Sequence, residues 1–215
     1  EPGYYSLASP YLTNDVQGLS LNVSQGLWNN QISLNAGFDR TQDNLLGLKL
    51  ATTTTTMPSL NIYVGIEKFP YLDFTYNSCS LSNDHPDDSL RVDNITKTYT
   101  ANTGTSFSLF DMAHSVNLSY TMQDYEDRSP FAELSSNYKM NMWMFSFNTN
   151  YKIPLSLSLD LGLTQNRPQA GSDYEDVYSG NVGFSYQPSG DKLPLTLNLS
   201  LDNTKGKRDG GGIGT

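Results

Sequence analysis

The residues able to do chemistry are few and widely spaced. The chain has two histidines, His85 and His114, and one cysteine, Cys79. A hydrolytic site needs a nucleophile and a base in contact. His85 falls in a polar stretch and His114 beside a short turn, so the two are expected at opposite ends of the molecule, and no serine spacing serves either. No enzyme activity and no cofactor are expected. A single cysteine excludes an internal disulfide and a multi-cysteine metal site. Oxygen ligands are more plentiful: Asn83-Asp84-His85-Pro86-Asp87-Asp88 and a twice-used Asp-Tyr-Glu-Asp at 124–127 and 173–176. Hard cations such as calcium take such ligands, but the spacing matches no EF-hand loop. No metal is expected, and Asp84, Asp87 and Asp88 are the only weak candidates. Asn-x-Ser/Thr triplets at Asn22, Asn94, Asn117 and Asn198 come mostly from strand alternation and carry little weight as glycosylation sites.

The elements that must position these residues are strands. Leu155, Leu157, Leu159, Leu161 and Leu163 alternate with Ser156, Ser158, Asp160 and Gly162. A strand turns successive side chains to opposite faces, so this one has a leucine face and a small polar face, whereas a helix would spread the leucines around its circumference. The pattern returns at Leu193, Leu195, Leu197, Leu199 and Leu201, and in weaker form along most of the chain. Strands are expected near 18–25, 31–40, 59–68, 71–79, 96–109, 115–124, 137–150, 155–163, 176–187 and 193–202. In 137–150 the aromatics Trp143, Phe145 and Phe147 compete with Met140, Met142 and Met144. The aromatics are assigned to the apolar face. A polar connection is expected over 41–58, although its threonine run, 52–56, could extend a strand.

The balance of charge is −9 over 215 residues and the mean hydropathy is −0.47. Lysine and arginine are not clustered, which argues against a nucleic-acid partner. No apolar run is long enough for a transmembrane helix. Negative mean hydropathy does not exclude a membrane, because an alternating strand averages to mildly polar while presenting lipid with a continuous apolar band.

The connections sort by length. Short ones are expected after Gln25, Lys68, Leu109, Asn150 and Gln187, and long ones after Arg40, Cys79, Asp124 and Leu163. Short turns on one side and long loops on the other are a property of outer-membrane barrels. The division expected is an extension over 1–17, barrel strands over 18–203 and a loose Gly-rich tail over 204–215. Both ends would lie on the long-loop side, which predicts further strands of the same barrel beyond each end; the alternative is a miscounted strand, for instance one within Tyr4 to Leu12.

This arrangement, from Gly18 to Asp202, resembles bacterial outer-membrane β-barrel proteins of the porin and transporter kind. The resemblance implies an all-β, antiparallel, up-and-down transmembrane barrel, or a ten-strand portion of one, in the outer membrane of a diderm bacterium. The expected lumen-lining residues are Asn35, Asp39, Glu67, Asp73, Asn102, Asn117, Asp160, Asn181, Asn198 and Asp202. The expected lipid-facing residues are Leu19, Leu21, Leu34, Ile62, Val64, Phe74, Leu118, Leu157, Leu159, Leu161, Val182, Phe184, Leu195, Leu197 and Leu199. Tyr71, Tyr76, Tyr99, Tyr120, Tyr138, Tyr151, Tyr178, Tyr186 and Trp28 fall near strand ends, where aromatic girdles sit. The lipid bilayer is the expected partner, with other envelope proteins a further possibility. Three readings stand: a polar-lined pore or export and uptake channel, a plugged structural barrel anchoring a surface assembly, and a secreted soluble β-protein.

Overall fold

The computed structural model describes residues 15–132, 137–168, 174–186 and 195–207, with residue 174 and the last strand followed in their backbone alone. Ten strands form one sheet in sequence order: β1 Val16–Leu27, β2 Ile32–Asp43, β3 Thr53–Val64, β4 Tyr71–Asn83, β5 Asp93–Leu109, β6 Met112–Asp127, β7 Tyr138–Asn150, β8 Leu155–Pro168, β9 Tyr174–Tyr186 and β10 Leu195–Lys207. Every neighbouring pair is antiparallel. A single 3-10 turn, Asp88–Leu90, is the one helical element among the described residues. The all-β, up-and-down antiparallel arrangement is therefore present. The closed ring is not: among the described residues β1 pairs only with β2 and β10 only with β9.

The strands run further than alternation alone suggests, and nearly always at the long-loop end. β3 begins at Thr53, so the threonine run belongs to the sheet and the polar connection shrinks to 44–52. Thr54, Thr55 and Thr56 pair with Gln42, Thr41 and Arg40 on one side and with Ser82, Leu81 and Ser80 on the other. Threonine is β-branched and suits a pleated surface whichever solvent it meets. Side chains hold these strand ends. The Asp43 carboxylate accepts from the Thr53 amide at 2.6 Å, Asp84 from the Thr52 amide at 2.6 Å, and the Asn83 side chain from the Val92 amide at 3.0 Å. Pro58, which has no amide proton, sits where the β3–β4 pairing lapses at Met57 and Pro58.

The turns at the other end are tight and left-handed. Phe110 and Asp111 have φ of 53° and 55°, the type I′ signature that matches strand twist. Trp28, Asn29 and Asn30 have φ of 48°, 53° and 64°. Asparagine tolerates that region; tryptophan and phenylalanine occupy it against steric preference.

The length sorting holds over most of the sheet. The connections 44–52, 84–92 and 128–137 are long; 28–31, 65–70, 110–111 and 151–154 are short. It fails at the last pair, where the expected long connection shrinks to 169–173 because β8 runs on to Pro168, and the expected short one spans 187–194. The first extension and the Gly-rich tail fall largely outside the described residues, with β1 starting at Val16 and β10 running to Lys207.

No hydrophobic side chain is buried among the described residues, and the chain exposes 15156 Å². A compact monomer of 23.8 kDa would expose about 9,900 Å². Among the described residues no second layer packs on either face of the sheet.

Candidate lipid and lumen faces

The register sorts the side chains of β1 to β9 into two sets. One hydrogen-bonded row runs Leu34, Ile62, Phe74, Ala101, Tyr120, Trp143, Leu163, Tyr178. The next runs Ile32, Val64, Leu72, Thr103, Leu118, Phe145, Leu161, Gly180. Phe147, Leu159 and Val182, then Leu157 and Phe184, continue the set. Leu19 and Leu21 share this face through their partners Arg40 and Phe38. Trp143, Phe145 and Phe147 thus lie with the leucines. The backbone of β10 places Leu195, Leu197 and Leu199 opposite Tyr186, Phe184 and Val182; their side chains are outside the described residues.

This apolar set is exposed or half-buried, and none of it is fully buried. Leu21 is 56% accessible, Leu72 55% and Leu161 48%. Water against such a continuous surface would cost about 25 cal/mol per Å², and a soluble monomer rarely shows a patch larger than a few hundred Å². Aromatic pairs mark its long-loop half: Tyr76 with Tyr99 at 5.0 Å between ring centroids, and Tyr120 with Trp143 at 4.2 Å. Tyr178 lies in the same row as Tyr120 and Trp143. Tyr71 and Tyr138 do not join that set. Tyr71 pairs with Gly104, and Tyr138 stacks on Tyr125, both on the opposite face.

The opposite face is polar and small. Asn102, Ser119, Met144, Gly162 and Ser179 form one row, and Gly104, Asn117, Ser146, Asp160 and Asn181 another. Side chains bond across strands. Asn61 donates to Asp73 and, at 3.0 Å, to Thr75, and accepts from Asn35 at 3.3 Å. Ser119 donates to Asn102 at 2.6 Å, and the Tyr71 hydroxyl donates to Asn117 at 3.3 Å. Asp39 sits between Ser20 and Met57 on this face. Glu67 does not lie on it: β3 ends at Val64, and Glu67 belongs to the turn over 65–70. Asn198 and Asp202 pair with Gly183 and Ser179 by backbone register, their side chains being outside the described residues. Met57, Leu81, Met140, Met142, Met144 and Val177, with Tyr63, Tyr71, Tyr125 and Tyr138, interrupt the polar composition. Cys79, paired with Thr96, is exposed here too.

The two faces slip against the hydrogen-bonded rows. The row leaving Val23 passes Ala36, Leu60, Tyr76, Tyr99, Met122 and Asn141 and reaches Gln165. Val23 lies two residues from the middle of its apolar run, Leu21, toward the short turn. Gln165 lies six residues from Leu159, the middle of its own, toward the long loop. The apolar band therefore climbs eight residues across seven strand steps, about one residue per strand. With roughly 3.3 Å per residue and 4.7 Å between strands, the strands lean about 35° from the normal to the band. Transmembrane barrels lean about 35–45°.

The remaining candidates do not assemble. Asp87 caps the 3-10 turn, accepting from the Ser89 hydroxyl at 2.7 Å and its amide at 2.9 Å, and these bonds hold its carboxyl below the usual carboxylate range. Asp88 pairs with Arg91 at 3.0 Å and Asp84 is engaged with Thr52. Among the described residues no three His, Cys, Asp or Glu gather as a metal site. His85 lies in the long connection 84–92. His114 stacks between Phe107 and Phe147 at the short-turn end of the apolar face. No helix among the described residues is long and apolar enough to cross a membrane, which leaves strands untouched as membrane-crossing elements. No protein-family model matches the chain, and no curated protein matches it in sequence.

Proposed function

We propose that this sheet is the wall of an outer-membrane β-barrel whose polar face lines a pore or an export and uptake channel, without catalysis. The observation that carries the reading is the apolar face, uncovered by any other element among the described residues and climbing one residue per strand, at the lean that transmembrane barrels use. The setting this implies is the outer membrane of a diderm bacterium, with lipid as the immediate partner. The polar face suits water and neutral or cationic solutes, because Asp39, Asp73 and Asp160 stand among Ser, Thr and Asn. A plugged barrel serving as an anchor is the second reading, favoured by the cross-strand bonds of Asn35, Asn61 and Asp73.

Two native residues test both. In a Trp28→Phe variant refolded into vesicles, Trp143 on the apolar face should be quenched by lipids brominated along their acyl chains. Cys79, the only cysteine, should react with a membrane-impermeant thiol reagent and lower the conductance of a planar bilayer. Trp143 insensitive to brominated lipid would sink the membrane wall. Quenching without any conductance would leave the plugged reading in its place.

A further inference from the structure

Strands β1 to β9, whose side chains are described, divide their charges unevenly between the two faces. On the leucine face Arg40, Lys97, Lys139 and Arg167 gather at the long-loop end with Asp93, Asp124, Glu126 and Asp176. Four cations against four acids leave that side balanced. The polar face of the same strands carries Asp39, Asp43, Asp73, Asp127, Asp160 and Glu175 and no lysine or arginine. Three of these acids stand at the long-loop mouth. Asp43 is taken there by Lys49 at 2.7 Å, and Asp127 accepts from the Ser129 amide at 3.0 Å. The ion pairs of the described residues do not include Asp39, Asp73 or Asp160.

Two of these three stand at mid-depth. Leu159 and Phe74 are the middles of the apolar runs of β8 and β4, and a lean of one residue per strand puts them at one height. Asp160 lies one residue beyond Leu159 toward the long loops, and Asp73 one residue from Phe74 toward the short turns. At about 2.7 Å of height per leaning residue, both are within roughly 3 Å of the midplane. Four strand steps separate them, about 19 Å along the sheet, so they act as distinct charges around the wall. Asp73 accepts a hydrogen bond from Asn61. An acid at the depth of the bilayer middle, with no cation beside it, is tolerated where it faces water, and acids so placed mark ion paths. Asp39 stands between this pair and the mouth.

We infer that the lumen selects small cations over anions, and that Asp73 and Asp160 set this preference at mid-depth. The inference rests on the pore reading and narrows its solutes. Acids ringing a pore favour cations, and low-dielectric walls strengthen the field of each charge. The test places the protein in a planar bilayer across a potassium chloride gradient, where the reversal potential gives the ratio of potassium to chloride permeability. The parent should favour potassium. For a charge about 8 Å from the ion's path in about 0.1 M salt, each carboxylate removed should lower the ratio roughly twofold, so Asp73→Asn with Asp160→Asn should lower it about fourfold. Asp73→Glu with Asp160→Glu should retain it. Asp124→Asn with Glu126→Gln removes the same charge from the leucine face and should leave the ratio unchanged. A second measurement needs no substitution. Cys79 lines one recess with Asp39, and, relative to a free thiol in solution, it should react several-fold faster with a cationic methanethiosulfonate than with an anionic one. Conduction without preference for potassium, equal losses from the two charge removals, or equal relative rates at Cys79 would overturn the selectivity and leave the pore standing. A protein that inserts but conducts nothing would overturn the pore and this inference with it.

Discussion

Arginine placed along β8 and β6 measures the tilt of the band directly. Leu159 is the middle of five alternating leucines, with Phe147 and Val182 as its row partners. Arginine at the bilayer midplane costs a transmembrane barrel about 2–4 kcal/mol, falling to about 0–1 near the interfaces. Leu159→Arg should thus shift the folding equilibrium into vesicles by roughly thirty- to seven-hundred-fold. Leu155→Arg and Leu163→Arg stand about 11 Å of height from the middle and should be nearly neutral. Ser158→Arg, on the polar face between Asn148 and Gly183 and two residues from Asp160, should be mild. The decisive comparison is in β6. The hydrogen-bonded row of Leu159 arrives there at Val116 through Phe147. A lean of one residue per strand moves the midplane two residues on, to Leu118. The most costly arginine in β6 should therefore be at Leu118 and not at Val116. Urea titration of vesicle-folded variants, followed by circular dichroism and the heat-modifiable gel band, gives the profile. Equal costs at Leu159 and Ser158, or a β6 maximum at Val116, would refute the face assignment or the tilt.

Three smaller tests address the frame. A Cβ at Gly104 would come within 2.1 Å of the Asn117 side-chain oxygen and 2.9 Å of the Val116 carbonyl oxygen, whereas Gly18 has nothing nearer than 3.8 Å. Gly104→Ala should cost about 1–3 kcal/mol in urea titration, and Gly18→Ala well under that. Asp111→Gly should stabilise by roughly 1 kcal/mol, because it relieves the left-handed second position of the turn and gives up only an exposed pair with Lys152; a lowered urea midpoint would contradict it. The Asp87 carboxyl is depressed, first by the Ser89 hydroxyl and then by the Ser89 amide. A depressed carboxylate contributes order that is present above its unfolded pKa, near 3.9, and lost as pH falls through the folded value. The protection of the Ser89 amide, taken relative to the intrinsic exchange rate at each pH, should therefore hold at neutral pH and fall only in acid below that range, and Asp87→Asn should lower it at neutral pH and flatten that fall.

Much of this fold was legible because each strand announces its own two faces. The leucines of β8 and the alternation around Ile62 and Phe74 needed no partner to be read. Even the rival sets in β7 resolve once Phe145 is seen opposite Leu161. The strand ends were not legible, because beyond the apolar band nothing distinguishes Thr54 or Ser80 from loop composition; only a paired neighbour and a capping Asp43 or Asp84 decide it. Glu67 was misplaced for the same reason, since alternation continues three residues past Val64, where the strand ends. The slip of the band and the gathering of Lys97, Lys139 and Arg167 depend on register, which joins residues dozens apart and leaves no local trace.

The side-chain volumes on the two faces give a reason for this sheet to curl, and a direction. The apolar face is dominated by leucine, isoleucine, valine and aromatic side chains, with Ala101, Thr103 and Gly180 among the few small ones in its two central rows. Away from its tyrosines and methionines the polar face carries mainly serine, threonine, asparagine and glycine, packed closely enough that a Cβ on Gly37 would fall 2.5 Å from the Ser59 hydroxyl and one on Gly162 2.4 Å from the Ser179 hydroxyl. Bulky groups side by side relieve their crowding on a convex surface, while small ones tolerate a concave one. The cross-strand bonds of Asn61 and Ser119 pull the same way, since they shorten distances on the polar face only. Curvature toward the polar side would bring the free edges of β1 and β10 round toward each other, or toward further strands, with the leucines left outside. Enlarging the concave face should resist it: replacing Gly37 and Gly162 together by valine ought to impair assembly in vesicles far more than placing valine at Leu21 and Leu161 on the convex face, and comparable losses from the two pairs would show that volume asymmetry does not set the bend.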